Sequence, residues 1–167
     1  MKVAITFIGT NKYLDFLPQY YENIEKYFLP NSEKVILAFT DGELGDVPNN
    51  LKVYPQEHLE WPYITLKRFE IINKARDVIE ECDWLVFIDA DALVVDNISE
   101  YEFFDFTKPL FGVHHPCHAL GMHPHTEAPG AYEQNPKCEA YVDVSKSLPP
   151  VYWQGCLWGG KVPEVCA

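Results

Sequence analysis

Short apolar runs alternate with amphipathic stretches along the first half of the chain, and this alternation constrains the fold more than any other feature. Apolar residues recur at helical spacing over 13–28 and 64–80, which predicts two helices. The second helix would place Leu66, Phe69 and Ile72 on one side. The runs rich in β-branched and aromatic residues predict strands, which are 2–8, 34–39, 51–54 and 84–88. This order is typical of an open, mostly parallel α/β sheet flanked by helices.

Two carboxylates follow the last of these strands directly. Asp89 and Asp91 are separated only by the small Ala90, so both leave the sheet at its carboxyl edge, where open α/β sheets bind their ligands. Hard divalent cations such as Mg²⁺ and Mn²⁺ take oxygen ligands and commonly link carboxylates to substrate phosphates. One interpretation of this motif is therefore a metal site. The alternative is that Asp89 caps a turn and Asp91 is solvated.

Two further groups of residues are candidates for binding. The turn 9–13 after the first strand reaches the same edge of the sheet, and Tyr13 offers a ring either for stacking a base or for packing in the core. Thr65 and Arg68 share a helix face shortly after Trp61. A cation is unfavourable near a helix N-terminus, so Arg68 indicates either an anionic ligand or a solvated surface position.

The second half of the chain has little periodicity. Only 109–115 and 151–158 predict strands, and the stretch 103–138 is rich in His, Pro, Gly and aromatic residues. Long irregular segments in a compact domain are typical of binding loops. His115, just past a predicted strand, could donate a hydrogen bond to a sugar hydroxyl. A zinc site is the alternative for the histidine group, although its spacing does not match tetrahedral sites with cysteine partners; the group is His114, His115, His118, His123 and His125.

Aromatic and small residues alternate over 152–160 near the end of the chain. Aromatic rings suit stacking against sugar rings, and glycine allows the backbone to approach a ligand closely. The alternative is a buried strand that ends at a turn formed by Gly159 and Gly160.

The composition narrows the range of functions. The 167 residues suit one domain over 1–167 with a sizeable core. A net charge of −12 argues against nucleic acid as a partner, whereas a nucleotide neutralised by a divalent cation stays compatible. The first apolar run is too short to span a membrane and lacks a cleavage site, and no other run is long enough, which predicts a soluble, cytoplasmic protein. The five cysteines show no CxxC spacing and are predicted to be free thiols.

Ordered blocks along nearly the whole chain resemble glycosyltransferase family 6, which contains the blood-group A and B transferases, α-1,3-galactosyltransferase and shorter bacterial and phage relatives. The blocks are 7–13, Trp61 with Lys67-Arg68, 88–91, 109–112 with His115-Pro116, Tyr132-Glu133 and 152–160. A membrane anchor before the first strand is not expected, so the chain resembles the bacterial or phage branch of the family. The resemblance implies a GT-A fold, which is a Rossmann-like nucleotide-binding sheet.

The resemblance also implies an activity and a set of site residues. The activity is retaining transfer of galactose or N-acetylgalactosamine from a UDP-sugar, in α-1,3 linkage, to a β-galactoside. Asp89 and Asp91 would bind Mn²⁺ or Mg²⁺ together with the diphosphate. The other implied donor contacts are Phe7, Ile8, Gly9 and Tyr13 on the uridine, and Trp61, Thr65, Arg68 and Ala90. The implied substrate contacts are His115 on the acceptor galactose and Gln154, Gly155 and Cys156 near the 2-position of the donor sugar.

The family carries an acidic pair beside the reacting sugar in a segment beyond the last residue of this sequence. The chain is therefore expected to be short at its C-terminus, and no catalytic carboxylate is assigned. Two rival functions stay open. One is a nucleotide-sugar or glycan-binding module, catalytically impaired, that hydrolyses its donor slowly without transfer. The other is an inverting or nucleotidyl transferase, whose general base only the histidine group could supply. The donor sugar, the exact acceptor and the oligomeric state are left open.

Overall fold

The structure is a computed structural model that describes residues 1–115, 135–139, 141, 143 and 153–167. Within these residues the strands are β1 (Lys2–Ile8), β2 (Glu33–Thr40), β3 (Leu51–Pro55), β4 (Trp84–Ile88), β5 (Leu110–His114) and β6 (Trp153–Lys161). They form a six-stranded sheet with the order β3-β2-β1-β4-β6-β5. β1 pairs in parallel with β2 and with β4, and β2 pairs in parallel with β3, whereas β4 and β6 are antiparallel. The prediction of a mixed, mostly parallel α/β sheet is confirmed.

The helices of the described residues are short apart from the first. They are α1 (Leu17–Tyr27), α2 (Tyr63–Leu66), α3 (Arg68–Ile72), α4 (Arg76–Ile79), α5 (Glu100–Phe103) and α6 (Val162–Val165), with 3₁₀ turns at Asn11–Phe16 and Asn73–Ala75. The predicted helix 13–28 therefore consists of a 3₁₀ turn followed by α1. Pro18 lies in the first turn of α1, where the missing N–H of proline costs nothing.

The prediction of one continuous helix over 64–80 is wrong, because the segment is helical but broken at two places. The backbone leaves α-helical geometry at Lys67 (φ −91°, ψ 9°) and again at Ala75 (φ −104°, ψ 21°). Each break rotates the turn that follows it, so the side that carries Ile72 does not continue the side that carries Leu66. Ile72 is buried, whereas Leu66 and Phe69 are 68% and 64% exposed. The expectation of one shared side therefore fails for Leu66, whereas Phe69 and Ile72 lie three residues apart within α3 and keep a common side.

The core lies on both faces of the sheet. Successive residues of a strand point to opposite faces, and along β1 Val3, Ile5 and Phe7 pack in one cluster while Ala4 packs in the other. α1 covers the first face. The broken helical segment over 63–79 covers the second face through its buried residues Ile71, Ile72, Ala75 and Ile79. Since β1 is buried on both faces, its sequence is almost continuously apolar rather than alternating.

β6 runs through Gly159 and Gly160 to Lys161, so the alternative of a strand that ends at a Gly-Gly turn is wrong. A Cβ on Gly159 would overlap the carbonyl oxygen of Leu85 and approach the ring of Phe111 to 2.6 Å. The absence of a side chain thus lets β6 pair closely with β4 at this point.

The chain divides into two compact units, Met1–Phe111 with Cys156–Ala167, and Gly112–Gly155. The single domain over 1–167 stays a prediction. In the second unit the structure describes two strand ends and a few separate residues. Within that unit, a Cβ on Gly112 would lie 3.2 Å from the indole of Trp153. His118, His123, His125, Tyr132, Glu133 and Tyr152 lie outside the described residues. Among those that are described, no helix has the length and apolar character needed to cross a membrane, and the cysteines form no disulfide.

Candidate functional site

A cavity of about 300 Å³ opens in the first compact unit at the carboxyl ends of β1 and β4. Its walls come from the segments that follow these two strands and from the segment between β3 and α3. The lining residues are Ile8, Thr10, Tyr13, His58, Leu59, Trp61, Ile64, Thr65, Arg68, Phe87, Asp89, Ala90 and Asp91. The structure therefore brings together most of the residues that the sequence assigned to a nucleotide and a metal.

The backbone around Asp89 is held on both sides. Its N–H donates to the carbonyl oxygen of Cys156 on β6 at 2.9 Å, and its own carbonyl accepts from the N–H of Ala92 at 3.0 Å. Asp89 is half-buried and Asp91 is exposed. Burial raises the pKa of the Asp89 carboxyl, the charge of Arg68 lowers it, the charge of Asp91 raises it, and the net direction is upward. Ionisation of Asp89 is therefore less favourable than that of a solvated aspartate, and a further positive charge close to it would favour the ionised form.

The acidic pair fits a hard divalent cation that shares its coordination with a phosphate. Within the described residues no three His, Cys, Asp or Glu side chains converge, which argues against a closed metal cage there. Mg²⁺ is commonly held by one or two carboxylates together with water and substrate phosphates, and Mn²⁺ favours the same oxygen ligands. Asp89 and Asp91 are the residues that would hold such a cation. Of the histidines in the zinc alternative, only His114 and His115 are described.

Arg68 lies in the wall of the same cavity. Its guanidinium is placed over the ring of Phe87, 5.0 Å from the centroid, and its Nε donates to the carbonyl oxygen of Thr65 at 2.9 Å. Phe87 in turn stacks on Trp158, with centroids 5.2 Å apart and 11° between the planes. These contacts hold a permanent positive charge where it acts on Asp89. Arg68 is therefore a half-buried cavity residue and not a solvated surface residue.

The turn after β1 is fixed by hydrogen bonds to the end of β2. The N–H of Gly9 donates to the carbonyl oxygen of Phe39 at 3.1 Å. Asn11 adopts a positive φ of 54°, and its N–H donates to the two carboxylate oxygens of Asp41 at 2.9 and 3.1 Å. The ring of Tyr13 is 42% exposed and lines the cavity. Of its two interpretations, the structure favours a ring that is available for stacking.

Phe7 and Gly9 do not line the cavity, although the sequence assigned both to the uridine. Phe7 is fully buried, and its ring packs edge-on against Tyr20 with centroids 5.1 Å apart. The reason is the alternation along β1, which turns the side chain of Phe7 into the core. A Cβ on Gly9 would overlap the ring of Phe7 and lie 3.0 Å from the carbonyl oxygen of Tyr13. Both residues support the cavity wall from behind.

Four lining residues were not expected from the sequence, namely His58, Leu59, Ile64 and Phe87, while Thr10 lies in the turn 9–13 that was a binding candidate. Oγ1 of Thr10 lies 2.9 Å from Nδ1 of His58, and this hydrogen bond links the segment after β1 to the segment after β3. One signal could have found His58. It follows a parallel strand at its carboxyl end, as the assigned residues after β1 and β4 do.

The residues assigned to the acceptor and to the donor sugar lie mainly in the second compact unit. His115, Gln154 and Gly155 belong to that unit, so their placement against the cavity stays a prediction. Cys156 belongs to the first unit, where its carbonyl oxygen accepts the hydrogen bond from Asp89.

A mostly parallel sheet flanked by helices, with its cavity at the carboxyl ends of the strands, defines an open α/β protein and is consistent with a GT-A-like fold. The model of glycosyltransferase family 6 matches residues 1–167, and the chain belongs to that family. This membership confirms the resemblance seen in the sequence.

Three curated proteins illustrate the relationship. The chain is 29% identical over 163 residues to the O-antigen biosynthesis glycosyltransferase WbnI of Escherichia coli, an alignment that covers 96% of this chain and 66% of the relative. It is 26% identical to histo-blood group ABO system transferase 2 of Rattus norvegicus, over 98% of this chain and 48% of the relative. Transferase 1 of the same system and organism is 27% identical, over 98% and 47%. The chain thus spans about half to two thirds of the length of these relatives.

Proposed function

We propose that the protein is a metal-dependent, retaining hexosyltransferase that moves galactose or N-acetylgalactosamine from a UDP-sugar, in α-1,3 linkage, to a β-galactoside. One observation carries the proposal: Asp89, Asp91 and Arg68 line the same cavity as the exposed ring of Tyr13. A nucleoside diphosphate needs an aromatic or apolar surface for its base and positive charge for its phosphates. This cavity offers the aromatic surface and part of the positive charge. Membership of glycosyltransferase family 6 supports the reaction class.

The residues of the cavity have separate roles in binding the donor. Tyr13 offers its ring to the base. Arg68, held over Phe87 and bonded to Thr65, directs one permanent positive charge at the diphosphate without a large loss of side-chain freedom. Asp89 and Asp91 hold the divalent cation, Mn²⁺ or Mg²⁺. When bound, that cation supplies Lewis-acid stabilisation of the negative charge on the departing UDP.

The acceptor and the choice of sugar are assigned to residues outside this cavity wall. We propose that His115 hydrogen-bonds the acceptor galactose, and that Gln154, Gly155 and Cys156 limit the space beside the 2-position of the donor sugar. A small residue there admits the N-acetyl group, and a larger one excludes it. The glycosyltransferase and transferase names of the relatives support a glycan acceptor.

Calorimetric titration of UDP into the protein, once with Mn²⁺ and once with EDTA, tests the proposal. We expect binding that requires Mn²⁺ and that is lost in the double variant Asp89→Asn with Asp91→Asn. Asp46→Asn is the matched control, because Asp46 is an exposed carboxylate in the loop 41–50 and does not line the cavity. Equal binding in EDTA would remove the two aspartates from the site. Absence of UDP binding under both conditions would contradict the transferase proposal.

A second candidate is a catalytically impaired nucleotide-sugar or glycan-binding module. The observation in its favour is that, among the described residues, the cavity has no carboxylate other than Asp89 and Asp91, which the proposal assigns to the cation. Incubation with UDP-galactose or UDP-N-acetylgalactosamine and a β-galactoside, followed by mass spectrometry, separates the two. A product heavier by one hexose or one N-acetylhexosamine supports the transferase, whereas slow release of UDP without product supports the module.

A further inference from the structure

The hydrogen bond between Thr10 and His58 is a polar contact inside the cavity that the proposed function leaves unused. Thr10 is 4% exposed and His58 is exposed, and both residues line the cavity. Because Nδ1 of the imidazole is bonded to Oγ1 of Thr10 at 2.9 Å, the ring is held in one orientation. Its second nitrogen, Nε2, has no hydrogen-bond partner among the described residues.

The surroundings of this pair differ from those of the acidic pair. Asp89 and Asp91 follow β4, and Arg68 begins α3, so the charged groups come from those two segments. The segments after β1 and β3 contribute no charged side chain to the lining. Beside Thr10 and His58 they contribute the rings and aliphatic groups of Tyr13, Leu59 and Trp61. Apolar walls with a few convergent hydrogen-bonding groups are typical of sites that bind a neutral ring.

We propose that Thr10 and His58 form the part of the cavity that recognises the nucleoside of the donor. Thr10 positions the imidazole, and Nε2 of His58 hydrogen-bonds the base or the ribose. This inference rests on the proposed function, since it assumes that the cavity binds a nucleoside diphosphate. The hydrogen bond fits either neutral tautomer. If the hydroxyl of Thr10 donates to Nδ1, Nε2 carries the proton and donates to a carbonyl oxygen; in the reverse case it accepts from an N–H or a hydroxyl.

Two substitutions of His58 distinguish the contribution of Nδ1 from that of Nε2. In His58→Asn the amide occupies the place of Nδ1, so the bond to Thr10 can be kept while the group at Nε2 is lost. In His58→Gln the amide reaches the place of Nε2, so the contact with the ligand can be kept. Thr10→Val removes the positioning bond and preserves the side-chain shape. Glu57→Gln is the matched control, because Glu57 is the exposed neighbour of His58 and does not line the cavity.

The measurement is calorimetric binding of UDP and of inorganic diphosphate, both with Mn²⁺, to the full chain and to each variant. We expect His58→Asn to weaken UDP about five- to tenfold, the size of one hydrogen bond, and to leave diphosphate unchanged. His58→Gln should recover most of the UDP affinity. Thr10→Val should weaken UDP in the wild-type background and cost nothing further in His58→Asn, since Thr10 acts through the ring. Thermal melts of the variants exclude a loss of folding.

Several results would overturn the inference. Unchanged UDP affinity in His58→Asn, while the wild type binds UDP, would mean that the pair only links two loops. An equal loss for UDP and for diphosphate would assign His58 to the phosphates and not to the nucleoside. In both cases the proposed function would stand, because the wild type would still bind UDP in the presence of Mn²⁺. If the wild type did not bind UDP at all, the inference and the proposed function would fail together.

Discussion

The loop between α1 and β2 is held by hydrogen bonds to the carboxylate of Glu100, which lies far from that loop in the sequence. Glu100 is buried at the start of α5, accepts hydrogen bonds from the backbone N–H of Asn31 at 2.9 Å and from the hydroxyl of Ser32 at 2.8 Å, and lies within 3.4 Å of the Asn31 amide. Burial alone would raise the pKa of Glu100, but these bonds and its own backbone N–H lower it, and the net direction is downward. Its ionised form therefore stabilises the fold.

Glu100→Gln should destabilise the protein at pH 7 by about 1–3 kcal/mol, the range for lost charge-assisted hydrogen bonds at a buried site. Because the pKa is lower in the folded state, the contribution is fully present above the unfolded pKa of about 4.3 and is lost as the pH falls through the folded value. The gap between wild type and variant should thus stay constant from pH 6 to 8 and narrow below pH 4.

Urea denaturation at pH 7 and at pH 3.5 measures this gap. Glu22→Gln is the control, because Glu22 is an exposed residue of α1, and surface changes of this kind usually alter stability by less than about 0.5 kcal/mol. A gap of the same size at both pH values would show that the loss comes from packing and not from the charge of Glu100.

At the scale of elements, the close pairing of β4 and β6 depends on a glycine. A Cβ on Gly159 would overlap the carbonyl oxygen of Leu85, which is a backbone atom that can move only with its strand. Gly159→Ala should therefore destabilise the protein by about 1–3 kcal/mol or more, the cost of overpacking. Gly45 lies in the exposed loop 41–50, where a Cβ would meet nothing within 4 Å. Gly45→Ala should be neutral or slightly stabilising.

Thermal melts of the two alanine variants check this difference, and circular dichroism confirms that both are folded. Since Asp89 bonds to Cys156 on β6, Gly159→Ala should also weaken UDP binding in Mn²⁺. Equal melting temperatures for the two variants would mean that β4 and β6 can separate without cost at this position.

The first four strands were predictable from the sequence, whereas the end of β6, predicted at 158 and found at Lys161, and the helical segment over 63–79 were not. β1 agrees with its predicted bounds, and β2, β3 and β4 differ by a residue or less at each end, because a short apolar run between polar turns determines a buried strand locally. The helical period over 64–80 is also present, but the breaks at Lys67 and Ala75 carry no Gly or Pro signal. They depend on packing against the sheet, which a local pattern does not contain.

The site was predictable where it follows from strand order and was missed where it depends on contacts between loops. Asp89, Asp91 and Tyr13 come directly after strands whose carboxyl ends share an edge, so the fold class alone places them together. His58 reaches the cavity through its bond to Thr10, which lies 48 residues earlier in the chain. Phe7 was assigned to the ligand by its place in a family block, although the alternation of β1 already directs its side chain into the core.

For the whole molecule, the charge balance makes the cation central to the proposed function. The chain has a net charge of −12, and the cavity lining combines one arginine with two aspartates. A diphosphate would therefore be repelled both by the protein as a whole and by Asp89 and Asp91. A divalent cation between the carboxylates and the phosphates reverses the local charge, which is why donor and metal are expected to bind together.

Ligand binding should accordingly stabilise the whole fold only when UDP and Mn²⁺ are both present. At a UDP concentration of about 100 times its Kd, the stabilisation is about 2.7 kcal/mol, which corresponds to a rise in Tm of roughly 5–11 °C for a chain of this size. Differential scanning calorimetry with UDP, with Mn²⁺, with both, and with UDP in EDTA measures it. The Asp89→Asn with Asp91→Asn variant should show no such rise, whereas Asp46→Asn should behave as the wild type. A full rise with UDP in EDTA would mean that Arg68 and the cavity wall suffice to hold the diphosphate, and that the acidic pair serves another purpose.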